Sequence, residues 1–305
     1  MKTRGWRHAA CAVIAISAFS AVLSGCGLLD AANQASESKE SQQPSPVASP
    51  SDLKVPLYWV GDAGDSSYLY REYRDYEVQD SASSGDVVST AIAMLTRSHP
   101  RDDDYHTLWK PVSRVGSSMS ADGTLTIDVS SDMFDPTVSP GQAQMGLQQL
   151  IYTATAAAAV GGISDVGPET KVEILVDGKR GYKFGDQVLG RPMSRDKAAA
   201  APLWIIDPGQ DTKTKSNISV KMVASNIASK VHWDIKTNND IVASGEEKLS
   251  GQDAGLQEIQ FSKSLPKGKY TIRLYVRTEE LRDPSFAIKN QEVSVYDDHT
   301  FTVED

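Results

Sequence analysis

Cysteine is nearly absent: the 305 residues hold two, Cys11 and Cys26. No disulfide framework follows from that pair, because Cys11 lies in an N-terminal apolar run of the kind removed on export. No Cys-x-x-Cys pair exists, which excludes a thioredoxin-like site and a zinc ribbon. The strand-elbow serine motif GxSxG, the HExxH helix and the phosphate-binding P-loop are missing too. Histidine is sparse. His99, His106, His232 and His299 fall in separate segments, without the spacing of a local metal-ligand set or a nucleophile–base pair. Positive charge is also short. Lysine and arginine number 31 against 40 acids, a net charge of −9, so the basic footprint of a nucleic-acid binder is lacking. No apolar run reaches the roughly 20 residues that cross a bilayer.

What is present begins at the N-terminus. "MKTRGWRH" carries Lys2, Arg4 and Arg7 and no acid, and "AACAVIAISAFSAVL" follows, apolar apart from two serines. A basic n-region before a short h-region reads as a secretory signal. Leu23-Ser24-Gly25-Cys26 comes next. It resembles the bacterial lipobox at all four positions: aliphatic, small, small, cysteine. A disulfide, a metal site and a catalytic thiol are poorer readings of Cys26, since no partner, further ligand or base stands nearby. The resemblance implies that residues 1–25 are a lipoprotein signal peptide, that Cys26 carries a diacylglyceryl group, and that cleavage precedes it. Cys26 is then the single expected site, for lipidation. Two long acyl chains would hold the protein stably on the outer face of the cell membrane. Loss of Lys2, Arg4 and Arg7 moves the net charge from −9 to −12, so the body should stand off anionic headgroups.

Residues 26–52 are expected to be the lipidated cysteine and a disordered tether. "AANQASESKESQQPSPVASPSD" is rich in Ser, Gln, Ala and Pro and cannot bury enough apolar surface to offset its ordering entropy.

Residues 53–196 read as a first folded unit. "VPLYWVG" is a buried strand, and "SSYLYREYRDYEV" alternates as a half-buried one. "SGDVVSTAIAMLTR" places Val88, Ile92 and Leu95 at helical spacing, with Ser84 or Asp86 as cap. "HPRDDDYHTLWKP" is expected as an irregular loop. Its three adjacent acids, Asp102 to Asp104, lack the alternate spacing of a calcium loop and are expected in solvent. Trp109 is expected to lie down on the core, although its loop is also the best candidate for a binding face. "RVGSSMSADGTLTIDVS" is strand, turn, strand. "SPGQAQMGLQQLIYTATAAAAVGG" is a helix with Ser139 as cap and Pro140 in its first turn. "TKVEILVDGKRGYKF" is a strand and a hairpin turn at Asp177-Gly178. The order predicts an α+β domain, a mixed sheet covered by two helices. The opening "VPLYWV", the helix "VSTAIAMLTR", "DGTLTIDVS" with Phe134 beyond it, the long helix and the closing "VEILVDG" resemble the GerMN domain of bacterial sporulation and germination proteins.

Residues 201–305 change pattern. "LWIIDPG", "SNISVKMVAS", "KVHWDIKTNNDIVASGEEKL", "LQEIQFSKSL", "YTIRLYVRT" and "QEVSVYDDHTFTVED" are short strands between turns, without helical period. This predicts an all-β immunoglobulin-like sandwich, with Trp233 as its packed core aromatic. The "W-D-I" strand, the "ASGEEKLSG" turn and "YTIRLYVRT" resemble the Ig-like domain of bacterial spore germination proteins. "GRPMSRDKAAAAP", Gly190 to Pro202, fits neither pattern and is expected to join the units.

No catalytic residue, cofactor or metal ligand set is expected. The leading functional expectation is a membrane-anchored, non-catalytic binding or scaffold module of the envelope, partnered by an envelope protein or a cell-wall component and not by nucleic acid. The alternative is a cell-wall enzyme or an accessory subunit of one.

Overall fold

The computed structural model describes residues 53–63, 66–77, 86–163, 167, 169–250, 255–287 and 291–304. The signal peptide, Cys26 and the tether lie outside the described residues.

The chain enters through β1 (Lys54–Ala63), which lies between its antiparallel partners β2 (Ser66–Asp75) and β3 (Tyr105–His106). A central strand is covered on both faces, so β1 is a near-continuous apolar run. Its period of two sends Val55, Leu57 and Trp59 into the main core, and Tyr58 and Val60 into a smaller cluster with Leu69, Tyr152 and Ala199. Helix α1 (Val87–Arg97) starts at Asp86, whose carboxylate accepts from the amides of Val88 and Ser89, both at 2.9 Å. These two orphan N–H groups would otherwise face no partner, and an aspartate cap typically contributes about 1 kcal/mol. β4 (Val115–Met119) pairs antiparallel with β5 (Leu125–Val129), and β5 pairs parallel with β6 (Val172–Val176). The crossover between them is α2 (Pro140–Val160), opened by a capping box of Ser139 and Gln142. Both helices pack together, and α2 also lies on β1.

The expected α+β unit with a mixed sheet is therefore present, its strands divided into two three-stranded sheets and a two-stranded one. One local expectation is corrected. After Asp177-Gly178 the chain makes a single bridge, Val176 to Lys179, and does not return as a hairpin strand. The short β7 (Lys183–Phe184) pairs instead with β8 (Gln187–Val188). Phe184 is thereby free to stack on Trp109, with ring centroids 5.1 Å apart. Trp109 lies on the core as expected.

The second half is a sandwich. One sheet has the order β10 (Thr212–Thr214), β16 (Val293–Val303), β15 (Gly268–Arg277), β12 (Lys230–Thr237), β13 (Asp240–Lys248). The other has the order β14 (Gln257–Ser264), β11 (Asn217–Ala224), β9 (Leu203–Asp207). Alternation along β15 puts Tyr270, Ile272, Leu274 and Val276 into the core between the sheets. The β12–β13 hairpin turns on Asn238 and Asn239, whose φ angles of 48° and 70° are the left-handed pair that a tight hairpin needs. Trp233 is buried and stacks on Phe261 at 4.3 Å.

Residues 53–304 cluster as one compact unit, so contacts run freely between the halves. Trp204 and Val223 of the sandwich belong to the main core of the α+β half. The joining stretch is held at several points. Arg195 donates from Nε to Thr155 Oγ1 at 2.8 Å, the Asp196 amide donates to Gln148 Oε1 at 2.7 Å, and the Ala201 amide donates to the Leu69 carbonyl at 2.9 Å.

Candidate functional site

The loop between α1 and β4 runs against the sandwich. Two buried side chains set its path. Glu72, on β2, accepts from the Arg101 amide at 2.9 Å and from the Asp102 amide at 3.1 Å. Gln149, fully buried on α2, donates to the Tyr58 carbonyl at 2.9 Å and accepts from the Leu108 amide at 3.3 Å. With both loop ends pinned, the middle pairs with β1 as β3, and Tyr105 stacks on Tyr70 at 4.7 Å. Gly61 makes that stack possible, since a Cβ there would stand 2.7 Å from the Tyr105 ring and 2.9 Å from Tyr70.

This placement corrects the expectation for the acidic run. Asp103 and Asp104 are exposed as expected, but Asp102 is only 6% exposed. Its backbone is drawn inward by Glu72, and its carboxylate faces the sandwich. Tyr105 and Trp109, the aromatics of the candidate binding face, are buried as well. Between Arg101 and Trp109 the exposed residues are Asp103, Asp104 and His106.

Across from Asp102 stand two residues of β16, Asp297 and His299, 5% and 4% exposed. Asp297 is held by both halves: Oδ1 accepts from the Tyr105 hydroxyl at 2.7 Å, and Oδ2 from the Ile205 amide at 2.7 Å. His299 Nδ1 lies 3.0 Å from the Pro208 carbonyl oxygen. A carbonyl only accepts, so Nδ1 carries the hydrogen, and in that neutral tautomer Nε2 presents its lone pair. That nitrogen is buried without a hydrogen-bond partner. It is 3.8 Å from Asp102 Oδ2 and 3.9 Å from Asp297 Oδ2, beyond hydrogen-bonding range. Asp102 Oδ1 is occupied by the Asp104 amide at 3.0 Å. One donor atom each from Asp102, Asp297 and His299 lies within 4.8 Å of the others.

Burial dominates the electrostatics. It raises the Asp102 pKa to about 6, against the opposing pull of the Asp104 amide and of His299. It raises Asp297 as well, again opposed by His299 and by the Ile205 and Tyr105 donors. Burial, with Asp297 alongside, carries Tyr105 well above the ordinary phenol range. Among the described residues, no lysine or arginine pairs with Asp102 or Asp297. Two recesses flank the cluster. A cavity of about 410 Å³ is lined by Asp297 with Asp62, Asp104 and Asp298, and a smaller one of about 160 Å³ is lined by His299 with Arg101. The arrangement can coordinate a cation.

The expected sites fare unevenly. Cys26 lies outside the described residues. His99 and His106 are exposed, and neither belongs to the Asp102–Asp297–His299 cluster. His232 is satisfied, with Nε2 2.6 Å from Glu280 Oε2. Asp297 drew no notice in the sequence, and His299 appeared there only as one of several scattered histidines.

Fold and junction define the class: an α+β unit joined through buried polar contacts to a β-sandwich. Residues 56–182 match the family model described as Germane, sporulation and spore germination. Among solved structures, the chain is similar to the tandem GerMN domains of the sporulation protein GerM from Bacillus subtilis. Identity is 21%, 50% of each chain is covered, and the TM-score is 0.33. It is also similar to a lytic polysaccharide monooxygenase from Jonesia denitrificans, with 13% identity over 32% of this chain and 60% of that one, TM-score 0.21. The chain thus spans half the length of the GerM structure. At these identities and scores, neither likeness bears on the site. No curated protein matches.

Proposed function

We propose that the protein is a lipid-anchored module on the outer face of the cell membrane, binding an envelope protein or a cell-wall component without chemistry of its own. One observation carries this reading: a complete lipobox, Leu23 to Cys26, and a polar tether lead directly into a domain of a sporulation and germination family. That domain supports a role in sporulation or germination. The second half is read as immunoglobulin-like, and its strand order, with β10 parallel to β16, supports that reading.

Cys26→Ser tests the anchor. The variant should no longer incorporate labelled fatty acid and should leave the membrane fraction; equal labelling of variant and parent would remove the lipid from the reading. Crosslinking in intact cells, followed by identification of captured partners, tests the binding role. Exchange of the exposed pair, Asp103→Ser with Asp104→Ser, should reduce capture if the loop is the binding face. Hydrolysis of cell-wall polymer by the purified protein would replace the binding module with an enzyme.

A further inference from the structure

We propose that Asp102, Asp297 and His299 form a site for a divalent transition-metal cation of the zinc class, which ties the α+β half to the sandwich. The proposal stands apart from the anchoring and binding reading. It begins from an orphan: His299 Nε2 is buried, has no hydrogen-bond partner, and points between two carboxylates. A buried polar atom without a partner is costly, and a cation between the three groups would satisfy it.

The second layer of contacts has the form that orients metal ligands. A ligating histidine usually donates its other ring N–H to a carbonyl or carboxylate, and His299 Nδ1 does so to Pro208. Asp297 is fixed by a phenol and an amide, one on each oxygen. A carboxylate oxygen has a second lone pair, so Asp297 Oδ2 can still ligate while it accepts from Ile205. Asp102 commits Oδ1 to the Asp104 amide and turns Oδ2 toward His299.

Distances suit a small ion. Tetrahedral zinc with bonds of about 2.0–2.2 Å places its ligand atoms about 3.4 Å apart. The histidine nitrogen stands 3.8 and 3.9 Å from the two oxygens, and the three donor atoms all lie within 4.8 Å of one another, so the carboxylates would draw in on a bound ion to close the shell. The imidazole and the small ligand number favour zinc over calcium, which takes six to eight oxygens. Three protein ligands leave one position for water, and the cavity beside Asp297 is lined by three further carboxylates, Asp62, Asp104 and Asp298.

The competing arrangement is an imidazolium held between two carboxylates with no ion. Its Nε2–H would reach neither oxygen, leaving three buried charges without a mutual hydrogen bond.

The test uses the full chain in detergent, with Cys11→Ser and Cys26→Ser so that no thiol competes. After chelator stripping, zinc sulfate is titrated by calorimetry and melting is followed. One zinc per chain should bind, and saturation should raise Tm by about 5 °C or more. Asp102→Asn and His299→Gln should each weaken binding by at least about ten-fold, while Asp103→Ser binds as the parent does. If a ligand variant fails to fold, nitrogen NMR of the parent decides: zinc must shift His299 Nε2. Absence of zinc binding by the parent, equal binding by both ligand variants, a shift confined to other histidines, or tighter binding of calcium or magnesium would each overturn the site.

Discussion

The sandwich buries a histidine among carboxylates at each of two places, and the two are built differently. At β12, His232 Nε2 lies 2.6 Å from Glu280, and Lys230 bonds both Glu246 and Glu280 at 2.6 and 3.3 Å. At β16, His299 Nε2 stands 3.8 and 3.9 Å from its two carboxylates, and no lysine or arginine among the described residues joins them. The residue types are nearly the same. The first place is closed by direct charge-assisted bonds, and the second has the width of one more atom. Proximity of acid and base does not reveal whether a cluster is complete; the separation does.

The comparison can be broken most sharply at Asp297. Asp297→Ala strands the Tyr105 hydroxyl and the Ile205 amide, each a buried donor whose abandonment costs about 1–3 kcal/mol. A loss of about 3 kcal/mol is expected in urea unfolding, and a loss below 1 would mean that the junction contributes little. Zinc should sharpen the contrast next. Added to stripped protein, it should slow amide hydrogen exchange at Tyr105 and Ile205 by about ten-fold or more, reversibly on chelation, while the amides around His232 keep their rates. His232→Ala should cost about 1–2 kcal/mol through one lost charge-assisted bond, with the melting response to zinc unchanged. The smallest effect concerns acid. Lys230 holds the exposed Glu246 carboxyl below its usual range. A depressed folded pKa gives stability that is present above the ordinary carboxylate pKa and is lost as pH falls through the lowered value. Glu246→Gln should slightly flatten the stability curve below about pH 4.5 and leave the neutral region alone.

Local signals foretold most of the fold. Both helices, their caps at Asp86 and Ser139, and the turn at Asn238-Asn239 follow from short-range chemistry that a sequence carries in full. The candidate site does not work this way. Asp102 sits in a run of three aspartates that differ in nothing local; only Glu72, thirty residues away on another strand, separates the buried one from the exposed two. Asp297 and His299 share one face of β16 through the period of two, a usable hint, but which face meets the α+β half depends on sheet order. Gln149 is a parallel case. It reads as a polar interruption of α2, yet it is the residue that fixes β1 to the loop. The turn at Asp177-Gly178 forms as its residues foretell, but its pairing stops at the Val176–Lys179 bridge, and Phe184 farther on stacks on Trp109.

The hydrogen bond from Tyr105 to Asp297 spans 192 positions of sequence, and that sets an order of events during synthesis. A ribosome releases the chain from its N-terminus at about 5–20 residues per second. Asp102, Tyr105 and their scaffold of Glu72 and Gln149 are therefore made many seconds before β16 exists. Through that interval the loop has no acceptor for the Tyr105 hydroxyl and no wall beside Asp102. Contacts of such long separation also form slowly once the chain is whole, because loop closure precedes any reward. The first half must be able to wait with an open acidic edge, and the arrival of β16 acts as the latch that ends the wait.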